Sequence, residues 1–147
     1  MDGRRVILLV EDDEDQVLLA LRALRKHGVA GEVDEVVVAQ DGDEALDFLF
    51  GEGEYAGRDA SVPPEFVLLD VDLPGKTGLQ VLERVRADER TELVPVILFS
   101  ASNRHGDVVE GYRLGANSYV SKPASFGEFS EAMRLLGWYW LNWNESP

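Results

Sequence analysis

The chain has 147 residues, the size of one compact domain, and its 28 Asp and Glu against 14 Lys and Arg give a formal net charge of −14. That balance argues against a nucleic-acid binder, which needs clustered positive charge, and against docking on an anionic membrane surface. The absence of cysteine removes disulfides, thiolate metal sites and cysteine nucleophiles together, and fits a cytoplasmic location. Apolar residues make up 45%, enough for a real core rather than a disordered chain. Arg4 and Arg5 precede only the short apolar run Val6 to Val10, so the start is not a targeting segment. No apolar run approaches the roughly 18–20 residues of a membrane helix.

Short β-type runs alternate with helical patterns along the chain. Val6–Val10 is the first run, and Val17, Leu18, Leu21 and Leu24 mark a helix after it, closed by Gly28. Val36–Ala39 precedes a helix marked by Ala45, Leu46, Leu49 and Phe50 and closed by Gly51. A long loop, about Glu52 to Glu65 with Pro63 and Pro64 near its end, is expected to be a solvated insertion. Phe66–Leu69 leads to a helix carrying Leu79, Val81, Leu82 and Val85. Val96–Phe99 leads to one carrying Val108, Val109, Tyr112 and Leu114, stopped by Gly115. Ser118–Val120 precedes the last helix, where Phe126, Phe129, Met133, Leu136 and Trp140 form a core-facing stripe. Leu135, Trp138, Tyr139 and Trp143 fall outside that stripe, so this helix needs a second partner surface.

This βα alternation with continuously apolar strands predicts an α/β fold, a doubly wound parallel sheet of (βα)5 type. With the flavodoxin-like strand order 2-1-3-4-5, the first and third strands are neighbours, and ligands bind at the carboxyl edge of such sheets. Glu11 and Asp12 follow the first strand, Asp70 ends the third with Asp72 just beyond, Ser100 follows the fourth, and Lys122 follows the fifth. Taken alone, Glu11 to Asp15 reads as an acidic helix start, Asp70 as a turn residue and Tyr119 as a strand aromatic. Their convergence on one edge is what argues for a site. Crowded carboxylates with no Cys and no nearby His suit a hard cation, Mg²⁺ or Mn²⁺. Such an ion keeps an open position beside Asp70, whose carboxylate can then attack phosphorus. The ion, the Lys122 ammonium and the Ser100 hydroxyl would each meet one phosphoryl oxygen. His27 and His105 belong to no ligand pattern.

Four stretches together resemble the receiver domain of two-component response regulators. They are Leu9-Val10-Glu11-Asp12-Asp13, Leu68-Leu69-Asp70 through Gly78, Val96-Ile97-Leu98-Phe99-Ser100-Ala101, and Gly115 through Lys122-Pro123. The resemblance covers nearly the whole chain. It implies Asp70 as phosphoacceptor, Glu11 and Asp12 as the acidic metal pair, and the Asp72 backbone carbonyl as a further metal ligand. Ser100 would be the switch hydroxyl, Tyr119 the switch aromatic, and Lys122 the phosphate-pairing lysine, joined to Pro123 by a cis bond. Asp72 is an acid where the family varies widely, and Ser100 keeps the hydroxyl of the commoner Thr but not its methyl.

The resemblance further implies a phosphorylation switch served by a sensor histidine kinase, with a readout face of helix 4, strand 5 and helix 5. No second domain follows within these residues, so output would pass through a partner or a relay. The long loop and the aromatic terminal helix resemble the stand-alone regulators paired with bacterial phytochrome-type kinases. Those regulators dimerise through the helix 4–strand 5–helix 5 face, and Leu135, Trp138, Tyr139 and Trp143 would supply such a homodimer surface here. Two other readings compete. One is a pseudo-receiver used as a binding scaffold. The other is a Mg²⁺-dependent phosphatase with Asp70-Val71-Asp72 as its Asp-x-Asp nucleophile. Such enzymes place that motif on the first strand, whereas here it follows the third.

Overall fold

The computed structural model describes residues 5–25 and 34–147. The expected helix stop at Gly28, and His27, lie outside the described residues. In chain order the elements are β1 (Arg5–Val10), α1 (Glu14–Arg25), β2 (Asp34–Ala39), α2 (Gly42–Phe50), β3 (Phe66–Asp70) and α3 (Gly78–Arg86). They continue through β4 (Val96–Ser100), α4 (His105–Arg113), β5 (Ser118–Ser121) and α5 (Phe126–Trp138). The strands form one parallel sheet in the expected order β2-β1-β3-β4-β5. This is the flavodoxin-like arrangement.

Side chains alternate across the central strands, as a period of two requires. Leu8, Val10, Val67, Leu69 and Leu98 point to the face covered by α2 and α3, with Phe48, Leu49, Val81, Leu82 and Val85 opposite them. Ile7, Leu9, Phe66, Leu68 and Ile97 point to the other face and meet Ala20 and Leu24 of α1 and Phe129 and Met133 of α5. Every residue of β3 and β4 is buried, which is why both runs read as unbroken apolar sequence.

Local chemistry sets the helix ends. The Asp41 carboxylate accepts from the Glu44 N–H at 2.8 Å to start α2. Gly51 closes the same helix in the left-handed region, at φ 65°. Thr77 and Gln80 form a reciprocal capping box at the start of α3. Ser125 accepts from the Glu128 N–H at 3.1 Å to start α5.

The loop after α2 is mostly exposed, as expected, but is anchored at a few points. A 3₁₀ turn over Gly53–Tyr55 folds it back, and the Tyr55 ring meets Phe48 edge-on at 5.2 Å. The Arg58 guanidinium lies 4.0 Å over the same Phe48 ring and donates to the Phe48 carbonyl at 2.9 Å. Pro64 is buried.

The terminal helix also departs from expectation in two places. Phe126 is 74% exposed instead of in the core. As the first residue of α5 it precedes the turn that reaches the sheet, where Phe129 meets Phe99 edge-on at 5.7 Å. Beyond Trp138 the helix widens into a π turn over Tyr139–Trp143. Leu141 is buried there, and its carbonyl accepts from Arg5 Nη1 at 2.6 Å. Leu135, Trp138, Tyr139 and Trp143 are all exposed, as their place off the core stripe requires. Among the described residues, no helix is long and apolar enough to cross a membrane.

Candidate functional site

The sheet register assembles the site. Val10 pairs with Ala39 on one side and Leu69 on the other, so the next residue of each central strand, Glu11 and Asp70, comes side by side at the carboxyl edge. Asp70 in turn pairs with Phe99, which brings Ser100 to the same edge, and Ser100 pairs with Ser121 just before Lys122. The Lys122 N–H donates to the Ser100 carbonyl at 2.7 Å and extends that ladder by one bond.

Lys122 reaches back over the edge. Its Nζ donates to Glu11 Oε1 at 2.8 Å, Asp70 Oδ2 at 3.0 Å and Gln16 Oε1 at 2.7 Å. Glu11 and Asp70 are both buried. Burial pushes the Glu11 carboxyl up, to about 7, with the close Asp70 carboxylate adding to the shift and Lys122 opposing it. Burial works to lower the Lys122 ammonium, but Glu11 and Asp70 outweigh it and leave its pKa raised. A cavity of about 10 Å³ adjoins the carboxylates, lined by Glu11, Asp70 and Gln16 together with apolar side chains such as Leu68, Phe99, Phe129 and Met133.

Glu11 is also tied to its own loop. Its Oε2 accepts from the Asp12 N–H at 3.0 Å and the Asp13 N–H at 3.3 Å. Asp13 caps α1, accepting from the Gln16 N–H at 3.1 Å. Gln16 therefore has its backbone in the cap and its side chain on Lys122. Sequence reading missed it, because Asp-x-x-Gln spacing signals a helix start and says nothing of an amide that leaves the cap.

Glu11, Asp12 and Asp70 each offer a carboxylate oxygen, and these atoms lie within 4.8 Å of one another. Asp12 is exposed while the other two are buried, so the group is open to solvent on one side. Three hard oxygen donors around one point, with a lysine supplying only one compensating charge, fit a divalent cation such as Mg²⁺ or Mn²⁺.

The β4 side of the site is a chain of hydrogen bonds. Ser100 is fully buried; its Oγ donates to Asp72 Oδ2 at 3.0 Å and accepts from the Ser102 N–H at 3.0 Å. The Asp72 N–H donates to Asp70 Oδ1 at 2.9 Å. Ser102 Oγ donates to Asp107 Oδ2 on α4 at 2.6 Å, and the Ser102 carbonyl accepts from the Tyr119 hydroxyl at 2.8 Å. Tyr119 is half-buried, its ring beside Gly111 of α4. Sequence reading passed over Ser102, since a serine two residues past a strand carries no pattern of its own.

One expectation is corrected. No cis peptide bond occurs among the described residues, so Lys122–Pro123 is trans. Trans is the lower-energy isomer of an X–Pro bond by about 0.5–1 kcal/mol, and Lys122 reaches both carboxylates with the bond in that form.

A parallel α/β domain with an acid–lysine cluster at its carboxyl edge is thus defined by fold and geometry together. The model of the response regulator receiver domain matches residues 7–134, and the chain belongs to that family. It is 36% identical over 143 residues to the probable methanogenesis regulatory protein FilR2 of Methanothrix harundinacea (strain 6Ac), covering 97% of this chain and 87% of that one. It is 30% identical over 137 residues to the response regulator Rcp1 of Synechocystis, covering 93% and 89%. The Mn²⁺-bound form of Rcp1 has a TM-score of 0.88 at 29% identity over 97% of this chain and 99% of that one. The phosphorylated cyanobacterial phytochrome response regulator RcpA has a TM-score of 0.89 at 32% identity, covering 99% of each chain.

Proposed function

We propose that this protein is a phosphorylation switch in which a sensor histidine kinase donates a phosphoryl group to Asp70. The observation that carries this reading is the Lys122 ammonium held between Glu11 and Asp70, beside an open side bounded by Asp12. The Asp70 carboxylate is the nucleophile. Lys122, 3.0 Å from it, is placed to pair with one phosphoryl oxygen, and the Ser100 hydroxyl to donate to another. Glu11, Asp12 and Asp70, with the Asp72 carbonyl, would hold Mg²⁺ or Mn²⁺, which supplies positive charge for the remaining oxygen. The Mn²⁺-bound form of Rcp1 and the phosphorylated form of RcpA support both halves of this reading.

The transfer is stoichiometric, so the protein acts as a switch and not as an enzyme on a free substrate. Rearrangement at Ser100 and Tyr119 biases the loop between β4 and α4, and the α4–β5–α5 face carries the signal. Residues 1–147 act as one receiver unit. The full-length match to RcpA supports a phytochrome-type kinase as donor. The exposed Leu135, Trp138, Tyr139 and Trp143 support a homodimer through this end of the molecule. The net charge of −14 supports a protein that does not engage nucleic acid, and the absence of cysteine is compatible with a cytoplasmic location.

The chemical nature of the modification tests the reading. Incubation with Mg²⁺ and a small acyl phosphate should give a phosphoprotein that neutral hydroxylamine cleaves, as it cleaves an acyl phosphate. A hydroxylamine-resistant phosphate, or none, would contradict it.

A further inference from the structure

Resting on that reading, we propose that Asp72 holds the switch in its resting arrangement by taking the Ser100 hydroxyl as its hydrogen-bond donor. A serine hydroxyl has one proton to give. In this structure that proton goes to Asp72 Oδ2 at 3.0 Å, and the same Oγ accepts from the Ser102 N–H at 3.0 Å. The hydroxyl expected to meet a phosphoryl oxygen is therefore already engaged on both sides.

The bond to a carboxylate is of the strong, charge-assisted kind, so it is not surrendered freely. Asp72 is at the same time anchored to the phosphoacceptor, because its N–H donates to Asp70 Oδ1 at 2.9 Å. Its backbone sits on Asp70 and its side chain on Ser100, which makes it the shortest link between acceptor and switch. When an acyl phosphate reacts, an Asp70 oxygen bonds to phosphorus. The bond from phosphorus to the acyl oxygen breaks, and its electron pair leaves on the acyl carboxylate with no net proton transfer. Ser100 can then donate to the new phosphoryl oxygen only by releasing Asp72, whose exposed carboxylate turns to water. Serine suits this motion better than threonine, whose branched Cβ stiffens χ1.

Release at Ser100 is carried outward by Ser102. That residue touches Ser100 through its N–H, Tyr119 of β5 through its carbonyl and Asp107 of α4 through its hydroxyl. Asp72 is thus a positioning residue acting through Ser100.

The test compares initial rates of phosphorylation of the full chain, read by intact mass at fixed Mg²⁺ and acetyl phosphate. Asp72→Ala and Asp72→Asn are each placed in the wild-type and the Ser100→Ala background. Asp72→Ala should speed phosphorylation about tenfold, the scale of one charge-assisted hydrogen bond. Asp72→Asn, which keeps an acceptor oxygen, should stay within about threefold of wild type, since a neutral hydrogen bond retains part of that hold. The gain from Asp72→Ala should vanish in Ser100→Ala. Equal acceleration by both Asp72 variants, persisting without the Ser100 hydroxyl, would mean that Asp72 only repels the donor by its charge and would overturn the inference alone. No acceleration by Asp72→Ala would overturn it equally. No phosphoryl gain in any chain would instead remove the receiver reading on which the inference rests.

Discussion

Lys122 Nζ lies 3.0 Å from Asp70 Oδ2, across 52 residues of sequence, and is the only cation among the described residues bonded to either buried carboxylate of the site. Removing it would leave Glu11 and Asp70 facing each other without compensation. Lys122→Met should therefore lower the unfolding free energy of the metal-free protein by about 3 kcal/mol, the scale for breaking a buried ion pair from one side. Urea unfolding at pH 8, with a chelator present, measures this. A change below about 0.5 kcal/mol, the range of ordinary surface substitutions, would show that the ammonium is not compensating those charges.

The raised Glu11 carboxyl gives the metal-free protein a pH dependence of unusual sign. Its folded-state value of about 7 lies above its ordinary value of 4.5, so between these limits the folded state binds more protons than the unfolded one. Stability from this group is then fully present below about pH 4.5 and is lost as pH rises through about 7, by about 3 kcal/mol in all. Glu11→Gln should remove that slope. Denaturant midpoints between pH 5 and 8 in chelator, for both chains, would reveal it; parallel profiles would count against the shift.

Much of this site was legible in the sequence because a parallel sheet places every strand end on one edge. Asp70, Ser100 and Lys122 terminate or follow apolar runs, so their convergence needed only the strand order. What the sequence could not carry was side-chain direction. Gln16 reads as part of a helix start, yet its amide turns to Lys122. Asp72 was expected to contribute its backbone carbonyl, and the structure shows that its carboxylate also binds the Ser100 hydroxyl. Periodicity placed Phe126 on the core stripe, but periodicity does not say where along its length a helix meets the sheet. Leu141 is core for a related reason: a π turn widens the spacing that a stripe at α-helical period assumes.

Gly78 is held to glycine by close approach. A Cβ there would stand 2.3 Å from the Asp70 carbonyl oxygen and 2.8 Å from Val71 Cα, both backbone atoms that cannot step aside. Gly78→Ala should destabilise the protein by about 2–3 kcal/mol through overpacking, and should slow phosphorylation by displacing Asp70. Thermal unfolding and phosphorylation rate, measured together, check this. A neutral result in both would mean that α3 can shift without disturbing β3.

The exposed aromatic end of α5 predicts self-association. Trp138→Glu combined with Trp143→Glu should convert a dimer to a monomer at micromolar concentration, with little change in stability, since both side chains face solvent in the single chain. Light scattering across a concentration series reads the mass directly. A wild-type mass equal to that of one chain would contradict the dimer.

The most direct test of the central claim is intact mass after incubation with Mg²⁺ and acetyl phosphate, for wild type and Asp70→Asn side by side. The expected result is the gain of one phosphoryl group in wild type only, abolished by chelator. A gain of the same size in Asp70→Asn, or none in wild type, would contradict Asp70 as the phosphoacceptor.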